Sequence, residues 1–334
     1  MALGRGNINR ALNLVYSFVE RIVTEPLCAA QVFSSCELDR LCLRIGRKNY
    51  DFINQDLLGY DNKVCSSEPC VVYIVSRLQN SGGHLRLIQN FIRAQSAGKR
   101  QLILSTGVGG PSDEGYLAKT LTSEKNVCFL AAPRGNFLSR LTWLQTMLAA
   151  EKPEHVYLFN HHQDSVAVAA LVPEFGFQAS FCHHGDHHLC LGVHLDHLAH
   201  IDLHPMGYHY CREELGVDNR YLPLTFEGIQ DEPQKTGFAI GAGLTTATVA
   251  RSNKVEIPYY VSYVDTIPEV IKRTGGRHVH IGKLTPWALF QIRSRMRQLG
   301  IPKDRFIYMK WTSSVWRALQ ESKVDVYLAS FPYG

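Results

Sequence analysis

Val71-Val-Tyr-Ile-Val75 is followed by the loop residues Ser81, Gly82 and Gly83 and then by an amphipathic run from Leu85 to about Ala97. A short β-branched run, a glycine turn and a 3.6-residue periodicity read as strand, loop and helix. The pattern then recurs. Leu102 to Ser105, Val127 to Ala131 and Val156 to Asn160 are further apolar strands, with helices predicted at Phe137 to Ala149 and Ser165 to Leu171. Phe177 to Cys182 and His200 to Leu203 read as two more short strands. Apolar strands alternating with helices imply a parallel sheet buried on both faces.

Working outward, residues 1–68 read as a helical N-terminal extension, ending in a polar stretch from Asn62 to Pro69. Its apolar positions Leu12, Val15, Phe18, Val19 and Ile22 fall at helical spacing and predict a docked amphipathic helix. Downstream, a helix from Met206 to about Leu215 and an extended segment lead to Asp231–Thr236, a polar linker containing Pro233. A second start is predicted at Phe238-Ala-Ile-Gly-Ala-Gly243, a strand running into a glycine turn. His278 to Gly282 follows as a strand, and Thr285 and Pro286 cap a helix running to Leu299. Phe306 to Met309 is a strand, Val315 to Glu321 a helix and Val324 to Ala329 a last strand. The fold class is therefore α/β, with two tandem Rossmann-like domains at 69–230 and 237–334 behind the helical extension. A doubly wound sheet needs more chain than follows Ala329, so the second domain is expected to be incomplete.

The 334 residues are 45% hydrophobic and 19% charged, ample for two packed domains. A net charge of +5 is too mild and dispersed for nucleic acid, yet it favours an anionic small molecule. No run of eighteen apolar residues is present, and Arg10, Glu20 and Arg21 interrupt the N-terminal apolar stretch. Nine cysteines without a secretory signal predict reduced thiols, a cytoplasmic protein and at most peripheral membrane contact.

Three regions carry candidate chemistry. Ser81, Gly82, Gly83 and His84 lie between the first strand and its helix, where backbone N–H groups can approach a ligand. Gly241 and Gly243, with Arg251, Lys254 and Lys283, combine glycine turns with cations suited to a diphosphate. Eleven of the 15 histidines fall between His161 and His209, centred on Phe181-Cys-His-His-Gly-Asp-His-His188. One reading of that centre is a zinc site: Cys182, His184, Asp186 and His187 follow the spacing of a metallohydrolase ligand motif, with Cys in the place of its first His. The other is a hydroxyl-binding site in which an imidazole or Asp186 acts as base.

The run Arg251-Ser-Asn-Lys254, His280-Ile-Gly-Lys283, a long helix, Gly300-Ile-Pro-Lys-Asp-Arg-Phe306 and Val324-Asp-Val-Tyr-Leu-Ala-Ser-Phe-Pro-Tyr-Gly334 resembles the donor half of GT-B-fold glycosyltransferases. It is most similar to bacterial relatives of the O-linked N-acetylglucosamine transferases and to the bacterial protein N-glucosyltransferases. The resemblance covers residues 237–334; the first domain shares only its general plan. It implies a nucleotide-sugar donor, UDP-linked, whose diphosphate is held by Lys254 at the position of the family's diphosphate-binding lysine. The family's following glycine turn would begin at Gly334. It also implies an acceptor hydroxyl or amide on a carbohydrate, lipid-linked glycan or protein, with no resident cofactor and no required metal. His184, Asp186 and His84 are the candidate bases, and Ser81, Gly82, Gly83, His161 and His187 the candidate acceptor-side residues. The alternatives are the zinc-dependent hydrolase and a non-catalytic sugar- or nucleotide-binding fragment.

Overall fold

The computed structural model describes residues 5–25, 31–57, 70–78, 83–95, 98–110, 112, 126–185, 188–224, 243–256, 261–312 and 314–331. The chain divides into two compact units, Met1–Phe226 and Glu227–Gly334. The expected linker, Asp231 to Thr236, lies outside the described residues.

The first unit opens with helices α1 (Arg5–Thr24) and α2 (Cys36–Leu57). On α1 the buried stripe is Ile8, Leu12, Val15 and Val19, whereas Phe18 is 52% exposed. The i, i+4, i+7, i+11 line closes through Ile8 and turns Phe18 outward, correcting the expected inward face. The alternating part comprises β1 (Cys70–Val75), α3 (Gly83–Ala94), β2 (Arg100–Ser105), β3 (Val127–Ala131), α4 (Phe137–Glu151), β4 (His155–Phe159) and α5 (Ser165–Ala170). It continues with β5 (Gln178–His183), β6 (Ala199–Asp202), α6 (Pro205–His209) and β7 (Asn219–Tyr221). A single π-helical turn, Tyr210–Glu214, extends α6.

All seven strands are parallel, in the order β3-β2-β1-β4-β5-β6-β7. β1 is pleated so that alternate residues serve opposite layers. Val72 and Ile74 join the core formed with α1, α2, α4 and α5, while Val71, Tyr73 and Val75 pack with Leu85, Ile88 and Ile92 of α3. The helical extension thus shares its core with the sheet. Chain order runs outward from β1 to β3 and then returns to β4 on the other side of β1, which makes the β1/β4 boundary the switch point of a doubly wound sheet.

The second unit holds β8 (Thr245–Val249), α7 (Ser252–Val255), α8 (Tyr263–Thr274), β9 (Arg277–Ile281), α9 (Pro286–Gln298), β10 (Phe306–Met309), α10 (Val315–Glu321) and β11 (Val326–Tyr327). Its parallel sheet has the order β10-β9-β8-β11. Rewritten from its first strand, this is the 3-2-1-4 order of the first unit, with the switch point between β8 and β11. The strand expected at Phe238 to Gly243 lies outside the described residues except for Gly243, which is not in a strand. Among the described residues no helix is long and apolar enough to cross a membrane, and the seven described cysteines form no disulfide.

Candidate functional site

In the first unit the polar chemistry gathers where β1, β2 and β4 end. Val75 pairs with both Ser105 and Phe159, so Ser76, Thr106 and Asn160 leave the sheet side by side. Asp164, fully buried, knots these ends together. Its Oδ2 accepts from Ser76 Oγ and Thr106 Oγ1, each at 2.6 Å. Its Oδ1 accepts from the backbone of Val166 (3.1 Å) and Ala167 (2.9 Å), capping α5. Burial pushes the Asp164 carboxyl up, and the two hydroxyls and two amides pull it back. Ser76 Oγ in turn accepts the His161 backbone N–H at 2.8 Å, which fixes the first residue of the histidine group.

Three imidazoles meet above this knot, each from a different connection. His84 stands in the first turn of α3, His161 follows β4 and His184 follows β5. His84 stacks on His184 with centroids 4.5 Å apart, and His161 lies 5.5 Å from His84 and 6.4 Å from His184. All three are half-buried. The Phe159 carbonyl accepts from the His84 ring, while His84 Nε2 is enclosed without a hydrogen-bond partner. Burial, reinforced by His184 and His161, holds His84 well below the ordinary imidazole value. Burial, with the nearby Arg77 guanidinium, lowers His161 to about 4. At neutral pH these two rings are therefore neutral, each able to present one donor and one acceptor nitrogen. Arg77 donates to the Gly109 carbonyl, and Arg140 Nη1 donates to the Thr106 carbonyl at 3.1 Å, placing two cations at the same strand ends.

Of the residues expected here, His84, His161 and His184 come together, and Gly83 opens α3 beside them. Ser81, Gly82, Asp186 and His187 lie outside the described residues. Of the four expected zinc ligands only Cys182 and His184 are described. Cys182 is buried among the α3-facing apolar residues, and no cation-holding group among the described residues includes either one.

In the second unit the cations collect at the ends of β8 and β9. Ser252 N donates to the Lys283 carbonyl at 2.8 Å, and Glu256 accepts both the N–H and the Oγ1 hydroxyl of Thr285 at 2.6 Å. Gly282 has φ +133° and a Cβ there would stand 1.9 Å from the Ala250 carbonyl oxygen, so the two loops touch backbone to backbone. Arg251, Lys254 and Lys283 are thereby held at one sheet edge, Arg251 and Lys283 exposed and Lys254 half-buried. Burial lowers the Lys254 ammonium from its ordinary value, so an anion beside it is favourable. Gly243 does not join them. It precedes β8, has φ +73°, and a Cβ there would meet the Gly275 carbonyl at 2.6 Å. Its lack of a side chain serves close packing at the opposite end of the strand, about 16 Å away for five residues. Gly241 lies outside the described residues.

Ser76, Thr106, Asp164, Arg77 and Arg140 carried no sequence signal. Hydroxyls and a lone acid after strands are also what ordinary turns contain.

No protein-family model matches the chain and no curated protein sequence matches it. Solved structures do. The fold is similar to the lipopolysaccharide outer core galactosyltransferase WaaB, with a TM-score of 0.50 and 16% identity over 77% of this chain and 72% of that one. It is also similar to a mutant O-GlcNAc transferase from Thermobaculum terrenum, with a TM-score of 0.53 and 12% identity over 98% of this chain. The match spans 63% of that second protein's length. The likeness is one of fold, and it establishes the GT-B architecture that the second-half motifs suggested.

Proposed function

We propose that the protein is a glycosyltransferase that moves a sugar from a nucleoside diphosphate-sugar, UDP-linked, to an acceptor hydroxyl or amide. The observation that supports this most is the repeated 3-2-1-4 strand order with polar chemistry beyond the strand ends of each unit. Arg251, Lys254 and Lys283 follow β8 and β9 in the second unit, and His84, His161 and His184 gather with Arg77 and Arg140 in the first. In this reading Lys254, with Arg251 and Lys283, binds the diphosphate and takes up the charge that grows on it as the glycosidic bond to phosphate breaks. The acceptor sits against His84, His161 and His184, and one of these rings takes the acceptor proton as the new bond to the anomeric carbon forms. The Phe159 carbonyl fixes the His84 ring, and His84, His184 and Asp186 are the candidate bases. The three cations can do the work of a divalent ion at the leaving group, so no resident cofactor or metal is assigned to the transfer itself.

The test is titration calorimetry with UDP. Lys254→Ala is expected to weaken binding by roughly ten- to hundredfold, the value of a charge-assisted contact to phosphate of about 1.5–3 kcal/mol. Its denaturation temperature should stay within a degree or two of the parent's. Unchanged UDP affinity removes Lys254 from the donor site.

A further inference from the structure

A cluster of four potential metal ligands in the first unit takes no part in this scheme. His183, His200, Asp202 and Cys211 are all buried, and one ligand atom from each lies within 4.8 Å of the other three. From this cluster we infer a structural zinc site, distinct from the ligand set suggested by sequence spacing and on the opposite face of β5 from Cys182.

The backbone builds it in a simple way. His183 and Asp202 are register partners at the ends of β5 and β6, so their side chains project to the same face. His200 is two residues before Asp202 and shares that face. The fourth side chain arrives from the π-helical turn Tyr210–Glu214, which carries Cys211 over the strand ends. A π turn is a costly local conformation usually retained for a functional reason. His183 Nδ1 is 2.9 Å from Asp202 Oδ1 and 3.7 Å from Cys211 Sγ, and His200 Nε2 is 3.3 Å from Asp202 Oδ2. Ligand atoms bound to one tetrahedral zinc stand about 3.3–3.6 Å apart, the edge length that follows from bonds of about 2.0–2.3 Å, so the ion would replace the His183–Asp202 hydrogen bond and spread that pair by a few tenths of an ångström.

Two features favour a cation over a metal-free polar network. His200 Nε2, on a side chain only 4% exposed, faces the Asp202 carboxylate yet makes no hydrogen bond in acceptable geometry. A buried nitrogen left in this state is costly, and a cation beside it would satisfy it, while Asp202 already accepts from His183 and Asn219. The second feature is charge. A thiolate, a carboxylate and two neutral imidazoles around a divalent ion sum to zero, which is what a fully enclosed site requires. Cysteine and histidine together select zinc over magnesium or calcium. An outer layer is present as well: Asn219 Nδ2 donates to Asp202 Oδ2, and Arg212 Nε donates to Asn219 Oδ1, orienting the carboxylate. The ion would pin β5, β6 and the turn after α6, and with them His184, the residue next to His183.

The experiment loads the purified chain with zinc sulfate, desalts it and counts metal by plasma mass spectrometry, then repeats the loading with cobalt(II). Expected are about one zinc per chain and a cobalt spectrum with tetrahedral bands plus a thiolate charge-transfer band. Cys211→Ser and His200→Ala should each retain less than about a tenth of the metal, and Cys182→Ser should retain it all. Two wild-type results overturn the site: negligible zinc uptake, or cobalt bound without tetrahedral and thiolate signatures. Full retention by both Cys211→Ser and His200→Ala overturns it too. If those variants do not fold, the wild-type count and spectrum decide, and neither readout depends on sugar transfer.

Discussion

Asp164 accepts four hydrogen bonds in a site with no solvent contact, from the ends of two strands and the start of one helix. Ser76 and Thr106 end β1 and β2, and the amides of Val166 and Ala167 begin α5. Removing the carboxylate strands two hydroxyls and two amides in a dry interior. Asp164→Ala should therefore destabilise the protein by about 3–5 kcal/mol in urea denaturation, against about 1–2 kcal/mol for Ser76→Ala, which strips one of the four donors. Equal losses for the two variants would mean that Asp164 is not the centre of the knot. The histidines above it were legible in the sequence because so many rings after one strand are compositionally conspicuous. Their grouping was only half legible. His84 belongs to the first connection and His184 to the fourth strand beyond it, and only the parallel order brings the two rings to 4.5 Å. Asp164 was not legible at all, since one acid before an apolar helix reads as a routine cap.

The elements themselves were read well where their signals were strong. β1 to β4 are built on apolar runs, β5 and β6 on shorter apolar stretches broken by Ser180 and His200, and the start of α9 was visible as Thr285 followed by Pro286. β8 was missed because Thr245-Thr-Ala-Thr-Val249 contains a single large apolar residue; its threonines are buried by pairing on both sides, a tertiary effect no local pattern encodes. α8 was missed because Pro268 interrupts it, yet Ser262 caps it and buried Tyr263, Ile267 and Ile271 hold it to the sheet. The cap of α9 has a second task. Thr285 Oγ1 accepts from Ala288 N at 3.2 Å and donates to Glu256, tying the helix to the end of α7, which carries Lys254. Thr285→Ala is expected to cost about 1–2 kcal/mol and Thr285→Ser to recover most of it. The same alanine variant should weaken UDP binding through the displaced α7. If thermal melts show no loss for Thr285→Ala, the Glu256 bridge is not holding this edge.

Across the whole molecule, the two sheets share a strand order but not a buried ionisable load, and this sets how each unit should respond to acid. In the second unit His278 and His280 are fully enclosed, linked through Tyr263 and Thr246, with burial holding them at about 3 and about 4. In the unfolded chain they titrate near 6.5. Their folded values are depressed, so the stability they permit is fully present above about pH 6.5 and is lost as pH falls toward about 3–4. Over that window the unfolded chain binds protons that the native unit refuses, at up to about 1.4 kcal/mol per imidazole per pH unit. The first unit carries opposing contributions. His84, His161, His155 and His194 act in the same sense as His278 and His280, but Asp39, buried and accepting the Gly192 and His194 amides, is raised to about 7, and burial raises Asp164 as well. An acid whose folded value is raised is penalised when ionised, so protonating Asp39 between about pH 7 and pH 4 stabilises the native unit and offsets part of the histidine loss. Acidification from pH 7.5 to 5 should therefore unfold the second unit first. Limited proteolysis at pH 5 is expected to cut within 243–331 while the strands of the first unit remain protected, and calorimetry should show the lower transition moving down with pH. Loss of the first unit before the second, or a lower transition that does not move, would show that His278 and His280 do not govern the acid limb.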